Sequence, residues 1–123
     1  MYFRTRWTSH KGEKILHADF SGLKDDQLIE AANEAMNLLN GAVVQGDPYI
    51  LLLMDVSRLK LQDQLPDELA NLAVLRSKTT IFTAILGIQG IPHNLVNLLL
   101  PDIELVDTIT EGKEWLVKES NRL

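Results

Sequence analysis

The amino-acid sequence predicts a single α/β domain with a mixed, mainly parallel sheet of four or five strands and about four helices. Short apolar stretches typical of buried strands alternate along the chain with segments whose apolar residues recur at helical spacing. The chain opens with two strand-like segments on either side of a glycine-containing turn, which favours an antiparallel hairpin. The predicted order is therefore β-β-α-β-α-β-α-β-α, within one domain that spans residues 1 to 123.

The hairpin is predicted from the alternation between Tyr2 and Thr8, which is typical of a half-buried edge strand. Phe3, Thr5 and Trp7 fall on one side, and Arg4, Arg6 and Thr8 on the other. The segment "SHKGEK" then forms a polar turn, in which His10 is expected to be solvated, and the second strand covers Lys14 to Phe20.

The first helix is predicted for "LKDDQLIEAANEAMNLLNG", where Leu28, Ala32, Ala35, Met36 and Leu39 recur on one face. Two aspartates suit its N-terminus, and Gly41 is expected to provide the left-handed C-terminal cap. A "GDP" turn follows at residues 46 to 48.

The remaining elements follow from similar signals. Buried strands are predicted at Tyr49 to Met54 and in "TTIFTAILG", which ends at Gly87, with a short last strand in "IELVDT". Helices are predicted to start at Pro66 and at Pro92, the latter ending at Pro101. The last helix follows the Thr-x-x-Glu capping spacing of Thr108 and Glu111, with Ile109, Trp115 and Leu116 inward.

Composition excludes several classes of function. The net charge is −5, from 12 basic and 17 acidic residues without a basic stripe, which disfavours a nucleic-acid surface. The chain has no cysteine, so disulfides, thiolate metal sites and a cysteine nucleophile are excluded. No apolar run is long enough for a transmembrane segment, and the N-terminus lacks the apolar core of a secretory signal, so a cytoplasmic location is expected.

The most promising polar residues follow the predicted strands, where the carboxyl ends of parallel strands share one edge of the sheet. One interpretation is that these side chains line a polar pocket. The favoured alternative is that the Asp and Ser side chains form hydrogen bonds with the adjoining backbone and so stabilise turns and helix caps. The pocket would contain Asp19, Ser21, Asp55, Ser57, Gln89 and His93.

None of these residues forms a catalytic motif. Ser57, His93 and an aspartate could form a triad, but the Gly-x-Ser-x-Gly elbow is absent. Asp19 and Asp55 could hold a divalent cation, but lack a diagnostic spacing, and "GIQGIPHN" matches no phosphate-binding pattern. His17, in mid-strand, is expected to be a hydrogen-bonded structural residue. No enzyme activity, cofactor or metal is predicted.

Four segments in order resemble the STAS-like, SpoIIAA-like proteins, which are related to bacterial anti-sigma-factor antagonists: "HKGEKILHADFSGL", "YILLLMDVSRL", "TAILGIQGI" and "ITEGKEWLV". The resemblance implies a βα superhelix and a signalling role. It also places a phosphorylatable serine at a helix start, where this chain has Asp63, Gln64, Leu65 and Pro66. Without that hydroxyl, we expect the phosphorylation switch to be absent.

The resemblance implies a non-enzymatic regulatory module that binds an unidentified protein. By position in the family, the partner surface would include Arg58, Asp63 and the exposed side of the helix from Pro66 to Ser77. The alternative is a small-ligand binder, for a lipid or other apolar molecule, because the fold is similar to lipid-transfer domains of the CRAL-TRIO class and "IPHNLVNLLLP" is rich in apolar residues. The N-terminal edge strand would also permit a homodimer, although Arg4 and Arg6 are typical of a guarded edge.

Overall fold

The computed structural model of the chain describes residues 4 to 23, 25 to 58, 79 to 87 and 103 to 123. It contains a five-stranded mixed sheet in the order β1-β2-β3-β4-β5, in which β1 and β2 are antiparallel and all later neighbours are parallel. The strands are β1 (Thr5–His10), β2 (Glu13–Asp19), β3 (Tyr49–Asp55), β4 (Thr80–Leu86) and β5 (Ile103–Val106). The predicted α/β class and mainly parallel sheet are confirmed.

Two helices lie in the described part of the chain: α1 (Asp25–Gln45) and α2 (Ile109–Ser120). The helices predicted to start at Pro66 and at Pro92 lie outside the described residues, as do Tyr2 and Phe3 of the predicted first strand.

The two helices pack on opposite faces of the sheet. Alternate side chains of the strands form one apolar cluster with α1, which contributes Ala35, Leu39 and Ala42, and a second cluster with Leu116 and Val117 of α2. Leu39 and Leu116 are almost completely buried, and burying a leucine side chain stabilises a fold by about 1.5–3 kcal/mol. The sheet is thus a layer between two cores, which explains why β3 and β4 are apolar almost throughout.

The hairpin turn is tighter than predicted. Ser9 and His10 belong to β1, and only Lys11 and Gly12 form the loop, both with positive φ (52° and 82°). A two-residue loop of this kind matches the twist of the flanking strands. His10 is therefore not a solvated turn residue: its Nε2 lies 2.9 Å from Oε1 of Glu114 on α2.

The predicted C-terminal cap of α1 at Gly41 is wrong. The helix continues for another turn because Ala42 extends its buried stripe, and it ends at Gln45, followed by Gly46 (φ 84°) as the capping residue. The N–H of Gly46 donates to the carbonyl of Val43 (3.0 Å) and that of Asp47 to the carbonyl of Ala42 (3.1 Å), the bonds of a Schellman cap.

The predicted N-cap of α2 is confirmed, because the Oγ1 of Thr108 accepts a hydrogen bond from the backbone N–H of Glu111 at 3.0 Å. The Glu111 carboxylate in turn accepts from the backbone N–H of Asp107 (3.0 Å). Ile109 was predicted to point inward but is 39% exposed, since it is the first residue of the helix, while Leu116 is buried.

Candidate functional site

Two aspartates end neighbouring parallel strands and are paired in register, Asp19 on β2 and Asp55 on β3. The Oδ1 of each accepts a hydrogen bond from the backbone N–H two residues on, from Ser21 at 3.0 Å and from Ser57 at 2.9 Å. These are Asx turns, which hold the chain in a sharp bend after each strand. The turn hydrogen bonds favoured by the sequence are confirmed at both positions.

The two turns are also joined to each other and to β4 by backbone hydrogen bonds. The N–H of Phe20 donates to the carbonyl of Asp55 (2.8 Å), and the N–H of Gly22 donates to the carbonyl of Ser57 (3.0 Å). The N–H of Val56 donates to the carbonyl of Leu86 (2.8 Å). The hydrogen-bonded network therefore continues beyond the strands, and the turns form one surface, here called the strand-end surface (residues 19 to 22 and 55 to 58).

One glycine permits a close approach within this surface. Gly87 follows β4 with φ 95°, and a Cβ built on it would lie 2.6 Å from both the backbone N and the Cα of Ser57. The absence of a side chain at Gly87 therefore lets the strand ends after β3 and β4 pack closely. Gly22, with φ 68°, suits the turn by its backbone conformation, since a Cβ there would only reach ordinary contact with Cζ of Arg58 at 3.9 Å.

Arg58 is the most prominent charged group of the strand-end surface. It is exposed, and its backbone is in the left-handed region (φ 62°), which a residue with a Cβ rarely adopts. Such a conformation persists only where the surrounding structure enforces it, and here the adjoining Asx turn and the bond from Gly22 to Ser57 do so.

Asp19 is held in its charged form. Partial burial acts to raise the pKa of Asp19, but the hydrogen bonds from the Oγ and N of Ser21, with the charges of Arg4 and His17, outweigh it, so the net pKa is lowered. The Oγ of Ser21 donates to Oδ1 of Asp19 at 2.6 Å, and Nη1 of Arg4 lies 3.7 Å from Oδ2. The Ser21 hydroxyl therefore donates its hydrogen bond within its own Asx turn.

His17 is partly buried in mid-strand. Its Nε2 is enclosed and has no hydrogen-bond partner in the described part of the chain, so the predicted hydrogen bond is not found at this ring nitrogen. Burial lowers the pKa of His17, and the positive charges of Lys113 and Arg6 lower it further. The negative charges of Asp19 and Asp55 raise the pKa and only partly offset these effects. His17 and Arg6 are register partners in the hairpin, so the alternation of β1 and β2 already places both on one face.

The structure brings together five of the eight residues proposed from the sequence as a ligand or partner site: Asp19, Ser21, Asp55, Ser57 and Arg58. Asp63, Gln89 and His93 lie outside the described residues. Among the residues that the structure does describe, no group of three or more His, Asp and Glu side chains is arranged to hold a metal ion.

Neither helix in the described ranges combines the length and the apolar character required to cross a membrane. Comparisons of the chain with protein-family models, with curated proteins and with solved structures give no match.

Proposed function

We propose that the chain is a non-enzymatic interaction module of the STAS-like, SpoIIAA-like type, and that it binds a protein partner through its strand-end surface. The observation that carries the proposal is the position of Arg58, an exposed cation whose backbone is held in the left-handed conformation beside Gly22. Arginine is enriched at protein interfaces, and a backbone segment that is ordered before binding loses less entropy when a partner docks.

The protonation state of the turns favours binding over catalysis. A general base needs a pKa near the working pH, whereas the pKa of Asp19 is held below its usual range. The neighbouring Ser21 hydroxyl donates to that same carboxylate, whose lowered pKa makes it a weak base for activating a nucleophile. Both groups instead stabilise the shape of the surface.

The strand order supports the superhelical fold that the resemblance implies. From β2 to β5 the strands are parallel and follow one another across the sheet in chain order, and α1 connects the first two of them on one face. A chain that adds each strand on the same side of the previous one generates a βα superhelix.

The absence of the phosphorylation switch remains part of the proposal. The segment from Asp63 to Pro66 contains no hydroxyl side chain, so a serine kinase has no acceptor there. Incubation with such a kinase should leave Gln64 to Asp67 unmodified by mass spectrometry and should leave partner binding unchanged. A partner that binds this segment in a phosphate-dependent way would contradict the proposal.

The alternative of an apolar-ligand binder depends on the segment from Ile91 to Pro101, which lies outside the described residues. It stays a prediction, because no contact in the described part of the chain favours it.

Charge reversal tests the proposed surface. Affinity capture from native cells with the Arg58→Glu variant should lose partners that the wild-type chain retains, because the exposed cation becomes an anion at the centre of the surface. Arg122→Glu is the matched control: Arg122 is exposed near the C-terminus, where it pairs with Glu119. Equal recovery of every partner by both variants would refute the proposal.

A further inference from the structure

The edge strand β1 presents unused backbone groups on the side away from β2. The carbonyl of Arg4 accepts from the N–H of Asp19 (2.8 Å), so Arg4 directs its backbone toward β2. Because successive residues of an antiparallel strand alternate, Thr5, Trp7 and Ser9 direct their N–H and C=O groups outward.

Only one of these outward N–H groups has a partner in the described part of the chain. Oε1 of Glu34, on α1, accepts a hydrogen bond from the N–H of Thr5 at 2.8 Å. The N–H groups of Trp7 and Ser9 make no hydrogen bond with any of the described residues. Among the described residues, Glu34 therefore covers one end of the edge and no other group occupies the N–H groups of Trp7 and Ser9.

A groove runs between this edge and α1, with a volume of about 630 Å³. Its apolar part is formed by Trp7 and Leu38, and α1 adds two acids and two amides, Glu30, Glu34, Asn33 and Asn37. Nζ of Lys14 lies 4.3 Å from the centroid of the Trp7 ring, a cation–π contact that stabilises the ring in this position.

The charges differ on the two sides of the edge. On the α1 side of β1 lie the carboxylates of Glu30 and Glu34, together with the Lys14 ammonium above the Trp7 ring. Arg6 also lines the groove, but by strand register its side chain belongs to the other face of β1. Since side chains of a strand alternate between faces, a strand added here would direct every second side chain toward the acids and the others toward Arg6.

We propose that the groove binds an extended peptide segment of a partner protein, which adds to the sheet as a sixth strand beside β1. Its backbone pairs with Trp7 and Ser9. Its basic side chains face Glu30 and Glu34, and its acidic side chains face Arg6. This mode of recognition takes affinity from main-chain hydrogen bonds and specificity from alternate side chains.

A second copy of this chain fits the groove poorly. Between Thr5 and His10, β1 has no acidic residue, and its groove-side residues Thr5, Trp7 and Ser9 include no base. Pairing of two β1 strands would place Arg6 of both chains on one face, and like charges on neighbouring strands are destabilising.

The proposal is tested with a designed peptide, Lys-Glu-Val-Thr-Arg-Glu-Val, whose bases and acids lie on opposite faces when it is extended. Binding to the full chain is measured by isothermal calorimetry and by amide hydrogen exchange. We expect binding that slows exchange at Trp7 and Ser9, since both N–H groups gain a partner. The Glu30→Lys variant should bind about tenfold more weakly, because an attractive charge becomes repulsive.

Two controls separate strand addition from charge attraction. A peptide N-methylated at alternate residues keeps every charge but cannot form the main-chain ladder, and it should not bind. Glu104→Lys, which reverses a carboxylate on the opposite edge strand β5, should leave the affinity unchanged, as should Arg58→Glu on the strand-end surface.

Any of three results would overturn the proposal: no binding of the parent peptide, equal binding of the N-methylated peptide, or a dimer that forms through β1 and excludes the peptide. Because the proposed function depends on Arg58 and this inference on Glu30 and β1, failure of one leaves the other intact.

Discussion

Replacing Gly87 by alanine probes the closest approach in the strand-end surface. A Cβ at this position would meet Oγ of Ser57 and would lie 2.6 Å from the backbone N and Cα of the same residue. A flexible side-chain atom could move aside, but the backbone of Ser57 is fixed by the Asx turn and by its bond to Gly22. The strand end after β4 must therefore shift away from β3.

Gly46→Ala provides the matched control. Gly46 also has positive φ (84°, against 95° at Gly87), but a Cβ there would have nothing within 4 Å. Its substitution therefore reports backbone strain alone, which costs about 1–2 kcal/mol for a residue with a Cβ in the left-handed region. Gly87→Ala adds overpacking of about 1–3 kcal/mol, for a total of about 2–5 kcal/mol. This is a large part of the roughly 5–15 kcal/mol by which a domain is stable.

Urea unfolding, followed by the fluorescence of Trp7 and Trp115, measures both variants. We expect Gly87→Ala to lower the free energy of unfolding by about 1–3 kcal/mol more than Gly46→Ala does, with unchanged m-values. A second substitution, Ser57→Ala, removes only Oγ and should recover little of the loss. Equal losses for the two glycine variants, or full recovery by Ser57→Ala, would refute the close backbone approach.

Three other substitutions test local features of the fold. Thr108→Ala removes the acceptor for the N–H of Glu111 and should cost about 1 kcal/mol in urea unfolding, whereas Thr108→Ser should cost little. The pKa of His17 is lowered in the folded chain, so the free energy of unfolding of the wild-type chain should fall as pH drops through about 6.5 and level off below the folded-state pKa. The His17→Gln variant should lack this decline. An identical pH profile for the two chains would exclude His17 as its cause. Because the pKa of Asp19 is also lowered, its stabilising effect should be complete at neutral pH, should begin to decline as pH falls below about 3.9 and should disappear below the folded-state pKa. Asp19→Asn should therefore cost less stability at pH 3 than at pH 7, and an equal cost at both pH values would contradict this account.

The pattern of the sequence was sufficient for the sheet and for the starts of the described helices. The apolar runs in β3 and β4 are continuous because each strand is covered on both faces, and period and length alone identify such strands. The N-cap of α2 could be predicted because the Thr-x-x-Glu spacing acts within one turn, independently of the rest of the fold.

The end of α1 could not be predicted from local signals. Gly41 lies where a cap would suit the sequence, and a glycine inside a helix costs about 1 kcal/mol relative to alanine. Burial of Ala42 against the sheet, together with the Schellman cap at Gly46, outweighs that cost. Tertiary packing, not the local sequence signal, therefore determines where α1 ends.

The candidate site likewise has features that the sequence predicts and features that it does not. The Asx turns at Asp19 and Asp55 involve neighbours two residues apart, and the sequence predicted them. The groove beside β1, and the enclosure of His17 Nε2 without a partner among the described residues, depend on how the helices and strands are arranged in space, which a single sequence does not specify.

Photo-cross-linking in native cells is the most direct measurement of the proposed function. A photoreactive amino acid replaces Arg58 in one variant and, in the control, Arg122, which is exposed near the C-terminus. Cross-linking is a proximity measurement, so a partner seated on the strand-end surface should give a discrete protein adduct from position 58 and none from position 122. The same adducts from both positions, or none from position 58, would contradict the account.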